Sequence, residues 1–327
     1  MELGCAGLLF LMAPKCTDAE FIAVYKELQS TVLVARRLGT AESNVRQRRA
    51  RIEKAYGIML PQYDHRPAYN RTEVSEKAVI THRITDGVIL VGSDAHLWPG
   101  ALTTAQRAFL LFAKNFKPDT IILNGDVFDG AGISRFPSIG WEKRPTVQGE
   151  LEAVQDYLDK LLKASPNSKR FWPAGNHDLR FESKLAAVAP EFAGVKGIHL
   201  KDHCPGWIPC WRVDVNEDVV VKHRWANGIH AVYNNTLRSG KTMITGHLHS
   251  LKVTPWSDYN GTRWGVDSGT LAEAYGEQFT NYTEQNPVNW RSGFIVLTFR
   301  NGRLLIPEIV QKVDDDHVEF RGEIVAV

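Results

Sequence analysis

Three stretches of the chain run from apolar residues into Asp, Asn and His: GVILVGSDAHL (87–97), DTIILNGDVFD (119–129) and SKRFWPAGNHD (168–178). Each reads as a short buried strand with a polar tip. Between them, residues 102–114 and 149–163 space their apolar side chains at helical intervals. The order is β-α-β-α-β, which commits this part of the chain to a sheet with parallel strands. It also places the polar tips at the C-terminal strand ends, where open α/β sheets bind ligands. The later segments DVVVKHRW, KTMITGHLHSLKV, RWGVDSGTL and SGFIVLTFRNGRLLIPEIV are richer in strands, with a hairpin expected at Asn301-Gly302. A mixed sheet or layered sandwich fits this better than a dinucleotide fold.

Five polar pieces need one explanation: Asp94-Ala95-His96, Gly125 to Asp129, Gly175 to Asp178, Val221-Lys222-His223, and Gly246 to His249. Each ends or follows an apolar strand. Alternate residues of an extended segment point the same way, so Asp94 with His96, and His247 with His249, are each expected to face one pocket. Carboxylate, imidazole and amide oxygen together suit divalent manganese, iron, nickel or zinc. Any one piece alone fits a turn or a cap equally well; five in this order point to a metal site.

Residues 86–310 resemble the calcineurin-like metallophosphoesterase superfamily, with its signature blocks in order. The resemblance implies an α/β fold of four layers, αββα, over residues 86–327, and a centre of two divalent metals. Manganese is the leading expectation, with iron, nickel or zinc as alternatives. By motif, the first ion would take Asp94, His96, Asp126 and His249. The second would take Asp126, Asn176, His223 and His247, with Asp126 between them. A metal-bridging hydroxide would attack phosphorus in line, since two cations lower the pKa of water and neutralise phosphate oxygens. His177 would face the leaving oxygen as general acid, with Asp178 orienting it or its loop. Asp129 would support the ligands from behind or cap its loop. His223 competes with His230 for its place, and is preferred because it ends a valine-rich strand. Leu248 stands where the family often has threonine. Some phage-associated members look similar at GNHDLR and GISRFPSI, where Arg180 and Arg135 are candidates for phosphate contact or for surface ion pairs. Trp207 and Trp211 are candidates for core packing, for walling the cleft or for stacking on a base.

The first 60 residues have a different rhythm. Phe21, Ile22, Tyr25 and Leu28 mark one helix, residues 31–38 a second, and Gly39 its left-handed end. A third helix is expected from Thr40 or Ala41, with Val45, Ile52 and Tyr56 on a buried stripe. Seven basic and two acidic residues lie between Arg36 and Lys54, although the whole chain carries only +2. This unit resembles a helix-turn-helix domain at Ala35, Leu38, Gly39, Ser43, Val45 and Ile52. It departs at Arg49, where many members have an apolar or small residue. The resemblance implies DNA binding, with Glu42, Asn44, Arg46 and Gln47 facing bases and Arg48, Arg49 and Arg51 meeting phosphates. Docking of another protein and simple scaffolding are the alternatives. Residues 61–85 read as linker.

Four cysteines in 327 residues do not make a disulfide scaffold, and the spacing of Cys204 and Cys210 fits no strong metal motif. The apolar stretch Leu3–Ala13 is too short to span a bilayer and lacks a basic leader, leaving a tail, a packed helix or a start at Met12. The expectation is a cytoplasmic phosphoesterase without a membrane anchor, and a homo-oligomer is open. Its leading activity is that of a DNA-directed phosphodiesterase or nuclease. A phosphomonoesterase and a DNA-binding regulator with a non-catalytic phosphoesterase domain are the alternatives.

Overall fold

A computed structural model describes residues 16–60 and 78–327, save Gln285. The apolar stretch at residues 3–13, Met12, and most of the stretch read as linker lie outside them. The chain divides into two compact units, Met1–Glu73 and Val74–Val327.

The first unit holds α1 (Asp18–Leu28), α2 (Thr31–Leu38) and α3 (Glu42–Tyr56). Thr17 and Glu20 close a capping box that satisfies the first free N–H groups of α1. Gly39 ends α2 in the left-handed conformation. Phe21, Tyr25, Val34, Ala35, Val45, Ile52 and Leu60 form the shared core. Tyr56, expected on the buried stripe, is instead exposed.

The second unit runs β1 (Val79–His82), β2 (Gly87–Gly92), α4 (Thr104–Phe116), β3 (Thr120–Leu123), α5 (Val147–Ala164), β4 (Lys169–Pro173), α6 (Asp178–Val188) and β5 (Ile208–Cys210). It continues with β6 (Arg212–Val215), β7 (Val219–Val221), α7 (Ala231–Ser239), β8 (Thr242–Thr245), β9 (Lys252–Asp258), β10 (Gly261–Asp267) and α8 (Thr280–Thr283). The last strands are β11 (Gly293–Arg300), β12 (Arg303–Leu304), β13 (Glu308–Lys312), β14 (His317–Phe320) and β15 (Glu323–Ala326). One sheet has the order β1-β6-β7-β8-β10-β9; the other runs β15-β14-β13-β11-β2-β3-β4-β5, with β12 on β11. β1 comes from inside the stretch read as linker, and pairs in parallel with β6.

β2, β3 and β4 lie side by side in chain order and in parallel. Right-handed crossovers that always step the same way put α4 and α5 on one face of the sheet. Leu90 points to that face, into a core with Phe109 and Phe112 of α4 and Tyr157 and Leu161 of α5. Its neighbours Ile89 and Val91 point to the opposite face, into a second core with Val213, Ile244 and Val266 of the other sheet. That double burial explains why β2 is apolar at consecutive positions. α7 packs on β8, β9 and β10. The chain therefore forms a mixed α/β fold in which two sheets share a core. Asn301 and Gly302 turn β11 into β12 with φ of 50° and 75°, as a tight hairpin turn requires. Among the described residues no helix is long and apolar enough to cross a membrane.

Candidate metal centre

The strand ends β2, β3, β4, β7 and β8 each deliver polar residues to one place. Asp94, His96 and His249 form one group of metal-capable side chains, and Asp126, His223 and His247 form another. His249 Nε2 lies 3.0 Å from Asp94 Oδ1, and His223 Nε2 lies 3.2 Å from Asp126 Oδ2. His230, the competitor of His223, is exposed at the start of α7.

The expected route by which these residues converge needs correction. Asp94 and His96 do not alternate on an extended strand, nor do His247 and His249. β2 ends at Gly92 and β8 at Thr245, and all four residues have positive φ, between 39° and 72°, as does Asp126 at 52°. Such conformations strain a side chain with a Cβ and persist only where the surroundings impose them. The surroundings here are tight. A Cβ on Gly175 would sit 2.1 Å from Asp126 Oδ1, and one on Gly246 would sit 2.6 Å from Asp94 Oδ2. The glycines of GNHD and GHLH thus let the backbone approach the carboxylates.

The hydrogen bonds aim the imidazoles. His223 Nδ1 lies 2.7 Å from the Asn124 carbonyl, and His96 Nδ1 lies 3.0 Å from Asp129 Oδ1. With Nδ1 so engaged, Nε2 of each ring faces a carboxylate, 3.2 Å from Asp126 for His223 and 4.0 Å from Asp94 for His96. Those two Nε2 atoms, His249 Nδ1 and Asn176 Oδ1 are buried without a hydrogen-bond partner. Buried polar atoms without partners beside two carboxylates are costly, and they fit divalent cations, which would displace any proton on the imidazoles. Asp94, His96 and His249 can hold one ion; Asp126, His223, His247 and Asn176 can hold a second.

Asp126 is held well below the usual carboxylate range: burial opposes its charge, but His223, His177 and His96 outweigh it. Burial also opposes charge on His223, yet Asp126 and Asp94 raise it to about 10. Burial and the neighbouring His223 push His247 down to about 4.

Of the two roles expected for Asp178, the His177 ring or its loop, the structure shows the loop, and Asp129 lies behind the imidazoles. Asp178 does not hydrogen-bond to the His177 ring. Its carboxylate accepts from the backbone N–H groups of Asp126, Val127, Phe128 and Gly175 and from Trp172 Nε1. It therefore shapes the Asp126 loop, although burial and Asp126 push it up to about 6. The carboxylate that orients His177 is Asp129, whose Oδ1 lies 2.6 Å from His177 Nδ1 and also takes the Nδ1 contact of His96. Its Oδ2 accepts from Trp98 Nε1 at 2.8 Å. A third group, His96, Asp129 and His177, also has metal-capable spacing, but these hydrogen bonds occupy it. Arg180 donates to the Asp129 carbonyl at 2.9 Å and stands 3.1 Å from His177 Nε2.

Sequence reasoning missed Trp98, the Asn124 carbonyl and Glu150. Glu150 is buried and accepts from Gly130 and Ala131 N–H. Only the position of Trp98, two residues after His96, hinted at its role. Arg135 is exposed, its guanidinium 5.0 Å from the Phe136 ring. Trp207 is a core residue, and Trp211 is exposed. Cys204 and Cys210 are buried free thiols, each pushed up to about 12 by burial.

On α3, Val45 and Ile52 face inward as expected, and two arginines join them. Arg48 donates to Asp18 and to the Cys16 carbonyl, and Arg49 to Glu53, Tyr25 and the Leu60 carbonyl. Both side chains are mostly buried, so two of the three positions read as phosphate contacts are bolts within the unit, while Arg51 donates to Asp18 from the surface. Glu42, Asn44, Arg46, Gln47 and Arg51 are exposed.

The family model described as Calcineurin-like phosphoesterase matches residues 87–262, more than half of the chain. The chain belongs to this family. All the metal-capable residues named above fall inside the matched span. The protein is a metal-dependent phosphoesterase with a site built for two metal ions. No curated protein matches the chain. Among solved structures it is similar to Vps29 from Entamoeba histolytica complexed with zinc, at 13% identity over 73% of this chain and 98% of that one, TM-score 0.36. Vps29 from Chaetomium thermophilum gives 11% over 73% and 96%, TM-score 0.38. Yfce, a phosphoesterase from E. coli, gives 14% over 73% and 97%, TM-score 0.33.

Proposed function

We propose that this phosphoesterase hydrolyses phosphodiesters of DNA, brought to it by the helical unit within residues 1–60. In this reading Asp94, His96, Asp126 and His249 hold one cation, and Asp126, Asn176, His223 and His247 hold the other. Manganese is the first choice for both. Two bound cations supply a nucleophile from water near neutral pH and neutralise the non-bridging phosphate oxygens. His177 gives a proton to the leaving oxygen. Burial and, more weakly, Arg180 oppose its charge, while Asp129, hydrogen-bonded to Nδ1, favours the protonated ring. Asp129 holds the ring through Nδ1, and Asp178 fixes the loop that carries Asp126. Arg180, beside His177 Nε2, is placed to meet a phosphate oxygen.

The observation that carries the DNA reading is the outward face of α3. Asn44, Arg46, Gln47 and Arg51 all reach solvent from one helix that follows the turn at Gly39. Amide and guanidinium groups so presented suit base edges and phosphates.

The test is a substrate panel with added manganese on the full chain: aryl phosphomonoester, aryl phosphodiester, single-stranded DNA, duplex DNA, RNA and phosphopeptide. Turnover of DNA and of the aryl diester is expected. Asp126→Asn should reduce it more than about a hundredfold, beyond what loss of a supporting group costs. Hydrolysis of monoesters alone would replace this reading with a phosphomonoesterase. Retained turnover in the Asp126 variant would remove the shared-ligand assignment.

A further inference from the structure

The match to the family ends at residue 262, so the connection between β10 and β11, residues 268–292, lies beyond it. A connection of this length with little regular structure is uncommon in a compact domain and is often functional. Here it is fastened to the metal centre by aromatic rings. Phe279 packs edge-on against His96 at 5.1 Å and lies 5.6 Å from His249. Trp290 packs against His249 at 4.5 Å between ring centroids and against Phe279 at 5.1 Å. Tyr282 then lies nearly parallel to Trp290, at 15° and 6.2 Å. Gln278 Nε2 reaches the His96 carbonyl at 3.3 Å.

Burial decreases along this series. Phe279 is 7% exposed, Trp290 is half-buried, and Tyr282 is 71% exposed. The inner rings are occupied in packing the metal-site imidazoles. Tyr282 is not: it rests on Trp290 and leaves most of its surface to solvent. A flat aromatic pair that starts at a phosphoester site and opens to water is a stacking surface.

We propose that Tyr282, backed by Trp290, is the platform for a nucleobase of the substrate, stacked while the adjoining phosphoester lies at the metal centre. Tyr282 is thereby a specificity-determining residue. It adds recognition of a base to chemistry that by itself would accept many phosphoesters. This deepens the DNA reading and rests on it, but it requires only a base next to the scissile phosphate. A nucleotide and a single strand both meet that requirement.

The experiment compares base-bearing and base-free substrates with the full-length protein and manganese. One arm uses a nucleoside 5′-monophosphate against the corresponding sugar phosphate. The other uses a single-stranded oligonucleotide against its abasic counterpart. In each, the quantity read is the ratio of kcat/KM with the base to kcat/KM without it. In the arm that matches the natural source, Tyr282→Ala should lower this ratio about tenfold, mostly through KM, and Tyr282→Phe should keep it. Tyr282→Leu, which keeps bulk but not the flat ring, should behave like alanine. An unchanged ratio in both arms for the alanine variant, with base-bearing substrates still turned over, overturns the platform and leaves the phosphoesterase reading intact. An equal fall for base-bearing and base-free substrates also overturns it, because Tyr282 would then only brace Trp290 and His249. No turnover of any base-bearing substrate by the unaltered protein overturns the DNA reading and the platform together.

Discussion

Asp129 ties two imidazoles with different tasks to one carboxylate oxygen. His96 Nδ1 and His177 Nδ1 both lie within hydrogen-bond distance of its Oδ1, while Trp98 secures Oδ2. The carboxyl is held well below its usual range, because those imidazoles outweigh the cost of burial. Asp129→Asn weakens both anchors at once. Turnover should fall by about 10- to 100-fold, and metal affinity should fall with it, since groups behind metal ligands commonly cost that much. Metal titration alongside kinetics separates the two effects. An unchanged metal affinity would mean that Asp129 serves His177 alone.

At the scale of elements, α5 contributes a buried carboxyl to the loop that follows Asp129. Burial, and secondarily Asp129, push Glu150 up to about 7 from the ordinary 4.5. The sign follows from linkage. The folded chain binds this proton more tightly than the unfolded chain does, so the stabilisation is complete below about pH 4.5 and is lost as pH rises through about 7. The change is at most about 3.4 kcal/mol. Thermal unfolding with chelator present should therefore show Glu150→Gln losing less stability than the unaltered chain over that interval. Parallel pH curves would mean that the carboxyl stays ionised. α3 invites a paired comparison of its own. Arg49→Ala should destabilise the helical unit by about 1–3 kcal/mol, because it strips partners from Leu60, Tyr25 and Glu53. Replacing Arg46 and Arg51 should instead weaken DNA binding and flatten its salt dependence, as loss of phosphate contacts does. Unchanged binding by the Arg46 and Arg51 variant would move the DNA site off this helix.

At the scale of the molecule, the metal centre draws on five strand ends from two sheets, and bound ions should tie those sheets together. A ligand present at a hundred times its Kd stabilises the folded state by about 2.7 kcal/mol. Manganese should accordingly raise Tm, chelator should reverse the rise, and Asp126→Asn should lose most of it. A Tm indifferent to manganese in the unaltered protein would argue for another ion.

The β-α-β-α-β order, the metal-site motifs and the three N-terminal helices were legible in the chain because they rest on local patterns: period two, period 3.6, and polar residues where a strand stops. That His223 follows a strand and His230 does not is a local difference of the same kind. What each polar residue touches was not. Asp178 stands next to His177 in sequence, but the start of α6 turns its carboxylate onto the Asp126 loop, and Asp129, 48 residues earlier, takes the imidazole. Arg48 and Arg49 look like a basic surface until α1 packs against α3 and supplies Asp18 and Tyr25 as partners. The aromatic path from His249 to Tyr282 has no sequence period, because long-range packing brings its rings together. Sequence alone determined which metal-capable groups gather at the strand ends, since strand endings and residue types are local. Tertiary structure decided which group serves which, because a hydrogen bond or a stacked ring depends on distance in space and not on distance along the chain.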